Sequence, residues 1–136
     1  MASKVPSEYG VLLAENPRDS YYEIHEKMLK ISYLNKKIGV IGVNCPIHPT
    51  AIVSPQATLG DRVSAGEFAI VRKNVLIEDD VYLEAGVTIG INGILYRHVN
   101  NALKLIPHGG IVHIEQGASL LANASVVRVL SLVQKL

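Results

Sequence analysis

An apolar or small residue returns at every sixth position through the middle of this chain: Ile47, Val53, Leu59, Ala65, Val71, Ile77, Leu83 and Ile89. Helices repeat near 3.6 residues and exposed strands near 2, so neither accounts for the beat. A second series lies four residues on, at Ala51, Ala57, Val63, Ala69, Val75, Val81 and Val87, all small or β-branched. Gly, Asp, Ser and Asn fill many positions between, as corners require. A fixed repeat of this kind predicts a parallel β-helix. Each hexapeptide makes one short strand and a corner, and three close a triangular coil. Coils then stack at a strand spacing of about 4.8 Å.

The beat stops after Gly90. Residues 91 to 112, "INGILYRHVNNALKLIPHGGIV", form an excursion whose Asn-Gly, Asn-Asn and Pro-His-Gly-Gly points are loop chemistry. Ile114, Leu120 and Val126 resume the beat, with Ala118 and Ala124 as small partners. The two stretches amount to roughly three and a half coils, about 17 Å tall. The final "SVVRVLSLVQKL" fits a helical stripe through Val126, Val129, Leu130, Val133 and Leu136, and equally the sixfold beat through Val126, Leu130 and Leu132. It has no polar capping unit, so a second subunit covering that end, or a longer natural chain, is expected.

Before the repeat, "EYGVLLA" (residues 8 to 14) reads as a short strand. A helix then starts at Asn16 as cap, with Pro17 in the first helical position and Asp19 in the first turn. Tyr21, Ile24, Met28 and Ile31 form a single helical stripe, read as packing. The expected fold is therefore mainly β: a parallel β-helix of hexapeptide repeats over 45–136, with a loop excursion at about 91–112. Residues 1–44 form an N-terminal strand and helix segment.

Composition narrows the function. The chain is 49% hydrophobic and 18% charged, with net charge +1, which argues for a globular domain and against a nucleic-acid or anionic-membrane partner. Cys45 is the only cysteine, so no intrachain disulfide forms, and a reducing, cytoplasmic setting fits. There is no apolar signal core at the start and no stretch long enough to span a membrane.

"NPRDSYYEIHEKM", "IHPTAIVSPQATLGDRVSAGEFAIV" and "IPHGGIVHIEQGASLLANASVVR", in that order, resemble the UDP-3-O-acylglucosamine N-acyltransferases of lipid A biosynthesis. "KLIPHGGIVHI" aligns with a family loop in which His108 stands in place of a Gln. The resemblance implies a homotrimer of left-handed β-helices with ligand sites in clefts between subunits. It also implies an acyl group moved from a phosphopantetheine thioester, on acyl carrier protein or coenzyme A, to the amine of a nucleotide amino sugar. No tightly bound cofactor is implied. Only fifteen residues precede Asn16, where the family has a uridine-binding domain, and the chain ends eight residues after Arg128. No residue aligns with the family's catalytic histidine. A β-helix fragment that trimerises without catalysis is therefore the alternative.

Of five histidines, His25 and His48 read as structural, in the helix and at the first corner. His98 lies in the excursion, which can reach a neighbouring cleft. His108 is the candidate general base, because its flanking glycines permit close approach of a thioester. His108 and His113 are also spaced like part of the zinc site of gamma-class carbonic anhydrases, with His98 or His48 as the third ligand. Candidate substrate contacts are Asn92, Tyr96, His98, Asn123 and Arg128, with Arg97 beside them. "EDD" at 78 to 80 reads as a charged turn.

Overall fold

The computed structural model describes residues 11, 13–34, 38–99, 101–130 and 134–135. Among the described residues, one helix, α1 (Pro17–Leu34), precedes thirteen short strands. These are β1 (Ile52–Val53), β2 (Thr58–Leu59), β3 (Ser64–Ala65), β4 (Ile70–Val71), β5 (Val75–Ile77), β6 (Tyr82–Leu83), β7 (Thr88–Asn92), β8 (Tyr96–Val99), β9 (Ala102–Leu105), β10 (Val112–Ile114), β11 (Ser119–Leu120), β12 (Ser125–Arg128) and β13 (Gln134–Lys135). Outside the pair β8 and β9, successive strands visit three parallel sheets in turn. Their orders are β1-β4-β7-β12, β2-β5-β10-β13 and β3-β6-β11. That cycle is a parallel β-helix.

Register explains the beat. Ile52 pairs with Ile70 and Ile70 with Thr88, so each residue lies above one eighteen positions earlier, three hexapeptides per coil. Both sixfold series point inward: Leu59, Ala65, Val71, Ile77, Leu83 and Ile89 are buried, as are Ala57, Val63, Ala69, Val75, Val81 and Val87. Each fully buried Ile, Leu or Val side chain contributes about 1.5–3 kcal/mol through burial. The corners obey the same period, with Arg62, Phe68, Asn74, Asp80 and Gly86 all at positive φ. Asn, Asp and Gly tolerate this left-handed conformation, whereas Arg and Phe take it against steric preference.

The ladder starts earlier than the expected boundary at residue 45. Ile41 bridges Leu59, Ile47 bridges Ala65, and Gly39 N donates to Pro55 O at 2.7 Å. Ile41 lies six residues before Ile47 and extends the beat by one step. The last strand also settles the ambiguous tail: β13 pairs in parallel with β10, so the chain there continues the coil. With four strands in each of two sheets, the stack exceeds the expected three and a half coils.

The excursion is more ordered than the expected loop. β8 and β9 form an antiparallel hairpin, with Tyr96 opposite Leu105 and Val99 opposite Ala102. Asn101 in its tight turn has φ +59°, which an Asn accepts readily. Beyond the excursion, Val112 stacks on Val75 and Ser119 on Tyr82, thirty-seven positions apart instead of eighteen. The excursion therefore inserts nineteen residues and returns the chain to the same three sheets without losing register.

The helix starts as expected: Asn16 Oδ1 accepts from Asp19 N at 3.2 Å, while Asp19 Oδ2 accepts from Asn16 Nδ2 at 2.7 Å. Its stripe is corrected, however. Tyr21, Ile24, Met28 and Ile31 are 41 to 64% exposed. The covered face is Tyr22, His25, Glu26 and Leu29. The reason is what the helix lies on: not the apolar core but the excursion, which presents charge and backbone carbonyls. Asp19 pairs with Arg97, whose guanidinium also lies 5.0 Å from the Tyr22 ring centre, and Glu26 accepts from Lys104 Nζ at 2.7 Å. The expected strand at 8 to 14 falls largely outside the described residues, and Val11, Leu13 and Ala14 are not in a strand. No helix among the described residues is long and apolar enough to cross a membrane.

Candidate functional site

The excursion leaves the coil at Asn92 and rejoins it at Val112, and most candidate residues lie on or under it. At its root, Asn92 ends β7 and Arg128 ends β12, in register on neighbouring levels. A bulge at Gly90 produces that register, because β12 pairs Val126 with Ile89 but Val127 with Ile91. Arg128 is only 5% exposed, and its Nη2 donates to Asn92 Oδ1 at 3.0 Å. The structure thus joins two candidates separated by thirty-six residues.

His108 lies nearby, 9% exposed, beneath the return of the excursion. Its Nδ1 is 3.2 Å from the Ile106 carbonyl, which can only accept, so Nδ1 carries the proton and Nε2 the lone pair. Nε2 faces Gly93, where an added Cβ would stand 2.8 Å away. One residue back, the Pro107 carbonyl accepts from His25 Nε2 at 3.0 Å, and Gly109 packs against Leu29 without room for a side chain. Helix α1 therefore closes over this segment. His25 has the structural role expected of it.

The hairpin carries Tyr96 and His98 on its exposed alternate positions, while Arg97 turns to the helix. His98, Asp19, Glu23, Glu26, Arg97 and Lys104 line a crevice of about 300 Å³ between hairpin and helix. Asn123 is not at this root. It sits at a corner with φ +61°, its side chain over Gly86 and its backbone N donating to Ala85 O. His48 caps the first corner, accepting from Thr50 N at 3.3 Å through Nδ1.

Sequence reading missed one arrangement. His113 Nε2 donates to Glu78 Oε1 at 2.7 Å, and Glu78 Oε2 accepts from Gln116 N at 3.0 Å. A carboxylate that orients an imidazole in this way leaves the other ring nitrogen, Nδ1, as the proton acceptor. The charged turn beside it continues the network. Asp80 takes a bidentate contact from Arg62, with Nε at 2.5 Å and Nη2 at 3.0 Å, and a further bond from Gln116 at 3.1 Å. Hydrogen bonding to Arg62, then to Gln116, lowers the Asp80 pKa to about 2. The available signal was the register: once the excursion counts as nineteen residues, His113 stacks on Leu76, two residues from Glu78. Among the described residues, no group of three or more His, Cys, Asp or Glu is placed to hold a metal ion.

No protein-family model matches the sequence. Two curated relatives do. UDP-3-O-acylglucosamine N-acyltransferase of Helicobacter pylori strain J99 is 25% identical over 154 aligned positions, and the protein of the same name from strain 26695 is 26% identical. Each alignment covers 93% of this chain and 44% of the relative, so the chain spans less than half the length of the curated relatives it matches. Both carry the family name to which the helix and coil segments point.

Proposed function

We propose that this chain is the coil portion of a hexapeptide-repeat acyltransferase. It moves an acyl group from a phosphopantetheine thioester, on acyl carrier protein or coenzyme A, to the amine of a nucleotide-linked amino sugar. In this reading it is a cytoplasmic homotrimer of left-handed coils acting in lipid A biosynthesis. The observation that carries the reading is similarity to two N-acyltransferases across nearly the whole chain, on a coil whose sixfold core runs unbroken from Leu59 to Ile89.

In such a transfer the amine nitrogen attacks the thioester carbonyl, the C–N bond forms, the C–S bond breaks, and the thiol leaves. The amine proton must pass to a base. We assign that base to His108, whose Nε2 holds the lone pair and faces the side-chain-free Gly93. Arg128, steadied by Asn92, suits an anionic part of a substrate, and Tyr96, His98 and Asn123 are further proposed contacts. A second base is supported by its own geometry, His113 with Glu78.

The test is thiol release from an acyl thioester by the purified chain, with and without a UDP-linked 3-O-acylglucosamine. Acceptor-dependent release supports the reading. His108→Gln should slow it about 100-fold or more, with His113→Gln near wild type, and the reverse pattern moves the base to the Glu78–His113 pair. No turnover by a folded, trimeric chain would establish the trimerisation-fragment reading instead. A monomer in light scattering would overturn the trimer.

A further inference from the structure

The strands of the sheet β1-β4-β7-β12 all end at one corner of the coil, and cations collect there. Arg72 and Lys73 follow β4 directly, and Arg128 is the last residue of β12. Together with Ile52, Ser54, Ile70 and Val71 they line an open cleft of about 390 Å³. The chain as a whole carries a net charge of only +1, yet this described lining holds three cations and no carboxylate. The concentration of charge is local.

The cleft has two chemically distinct parts. Ile52 and Ile70 stack in register and give it an apolar wall. Arg72 and Lys73 give it a cationic rim, and the Arg128 guanidinium lies buried beneath, fixed by its bond to Asn92. A guanidinium held in a low-dielectric setting attracts an anion more strongly than one in bulk water. Gly90 lies on the level between Arg72 and Arg128, at φ +84°, and a Cβ there would come 3.3 Å from Arg72 Cβ. A side chain at that position would intrude between the two levels. The only hydroxyl on the lining belongs to Ser54, whose Oγ accepts from Gln56 N at 3.2 Å.

We propose that this cleft binds a soluble phosphate monoester of a short aliphatic group, with the phosphate on the cationic rim and the aliphatic part on Ile52 and Ile70. The proposal rests on the cleft alone and requires no acyl transfer. A phosphate dianion matches several converging cations better than a carboxylate does. The small apolar wall suits a few methylenes rather than a bilayer.

Calorimetric titration of the full chain with hexyl phosphate, inorganic phosphate and hexanol tests it without donor or acceptor present. Hexyl phosphate should bind at least about tenfold more tightly than either part alone, the expected gain from burying two or more methylenes. Replacing the rim pair, Arg72→Gln with Lys73→Gln, should weaken it about tenfold or more and reduce its salt dependence, with the fold checked by circular dichroism. Ile52→Ser should weaken hexyl phosphate but not inorganic phosphate. Equal affinity for hexyl phosphate and inorganic phosphate, or an unchanged Arg72/Lys73 variant, would overturn the proposal. Sedimentation of the chain with phosphatidate vesicles would overturn the soluble ester as the ligand.

Discussion

Glu78 and His113 are joined by a 2.7 Å hydrogen bond although thirty-five residues separate them. The coil stacks the chain after the excursion directly on the coil before it, and Glu78 bridges the two levels by also accepting from Gln116 N. Glu78→Gln keeps the size but weakens both charge-assisted bonds. It should lower stability by about 1 kcal/mol, read from the urea midpoint at unchanged slope. A shift within error would mean that solvent replaces both contacts equally well.

Acid should expose the neighbouring pair. Asp80 has its pKa lowered to about 2 from an ordinary 3.8, first by its hydrogen bond to Arg62. A carboxyl with a depressed folded pKa contributes stability above its unfolded value and loses it as pH falls through the folded one. The Asp80 contribution should therefore disappear between about pH 4 and pH 2. Carboxyl chemical shifts followed over that range would give an Asp80 midpoint near 2, moving up toward the ordinary value in Arg62→Gln.

Phe68 occupies a left-handed corner at φ +56° with two thirds of its surface exposed. It gains little burial for a conformation that disfavours it. Phe68→Asn should stabilise the chain by about 1 kcal/mol, since Asn holds the equivalent conformation at Asn74 and Asn123. A lower urea midpoint would show that the ring makes a contact worth more than the backbone relief.

The two faces of α1 make opposite predictions. Leu29→Lys would force a charge against Gly109 and should cost about 2 kcal/mol or more, whereas Met28→Lys, on the exposed stripe, should change stability by less than about 0.5 kcal/mol. If Met28→Lys lowers the melting temperature in a protein-concentration-dependent way, the stripe is covered by another copy.

The coil was legible in the sequence because its determinant is local and repeated. Every sixth side chain must fill the axis, and every corner must accept a tight turn, so Leu59, Ile77 and Ile89 announce their positions by spacing alone. The helix start was legible for the same reason, since Asn16, Pro17 and Asp19 satisfy the first turn without help from the rest of the chain. The hairpin was harder. An Asn-Asn pair after Val99 and the alternation across Tyr96 to Val99 stood in the sequence, but turn residues without a known partner strand read as loop.

What only the tertiary structure decided was which distant levels meet. An insertion of nineteen residues sets the offset that puts Glu78 beneath His113 and Asn92 beside Arg128, and no local pattern carries that length. The helix face was decided in the same way. Hydrophobicity favoured Tyr21, Ile24, Met28 and Ile31, but the surface beneath offered Arg97, Lys104 and the Pro107 carbonyl. Buried polar groups need partners more than exposed apolar ones need cover, so the polar face turned inward.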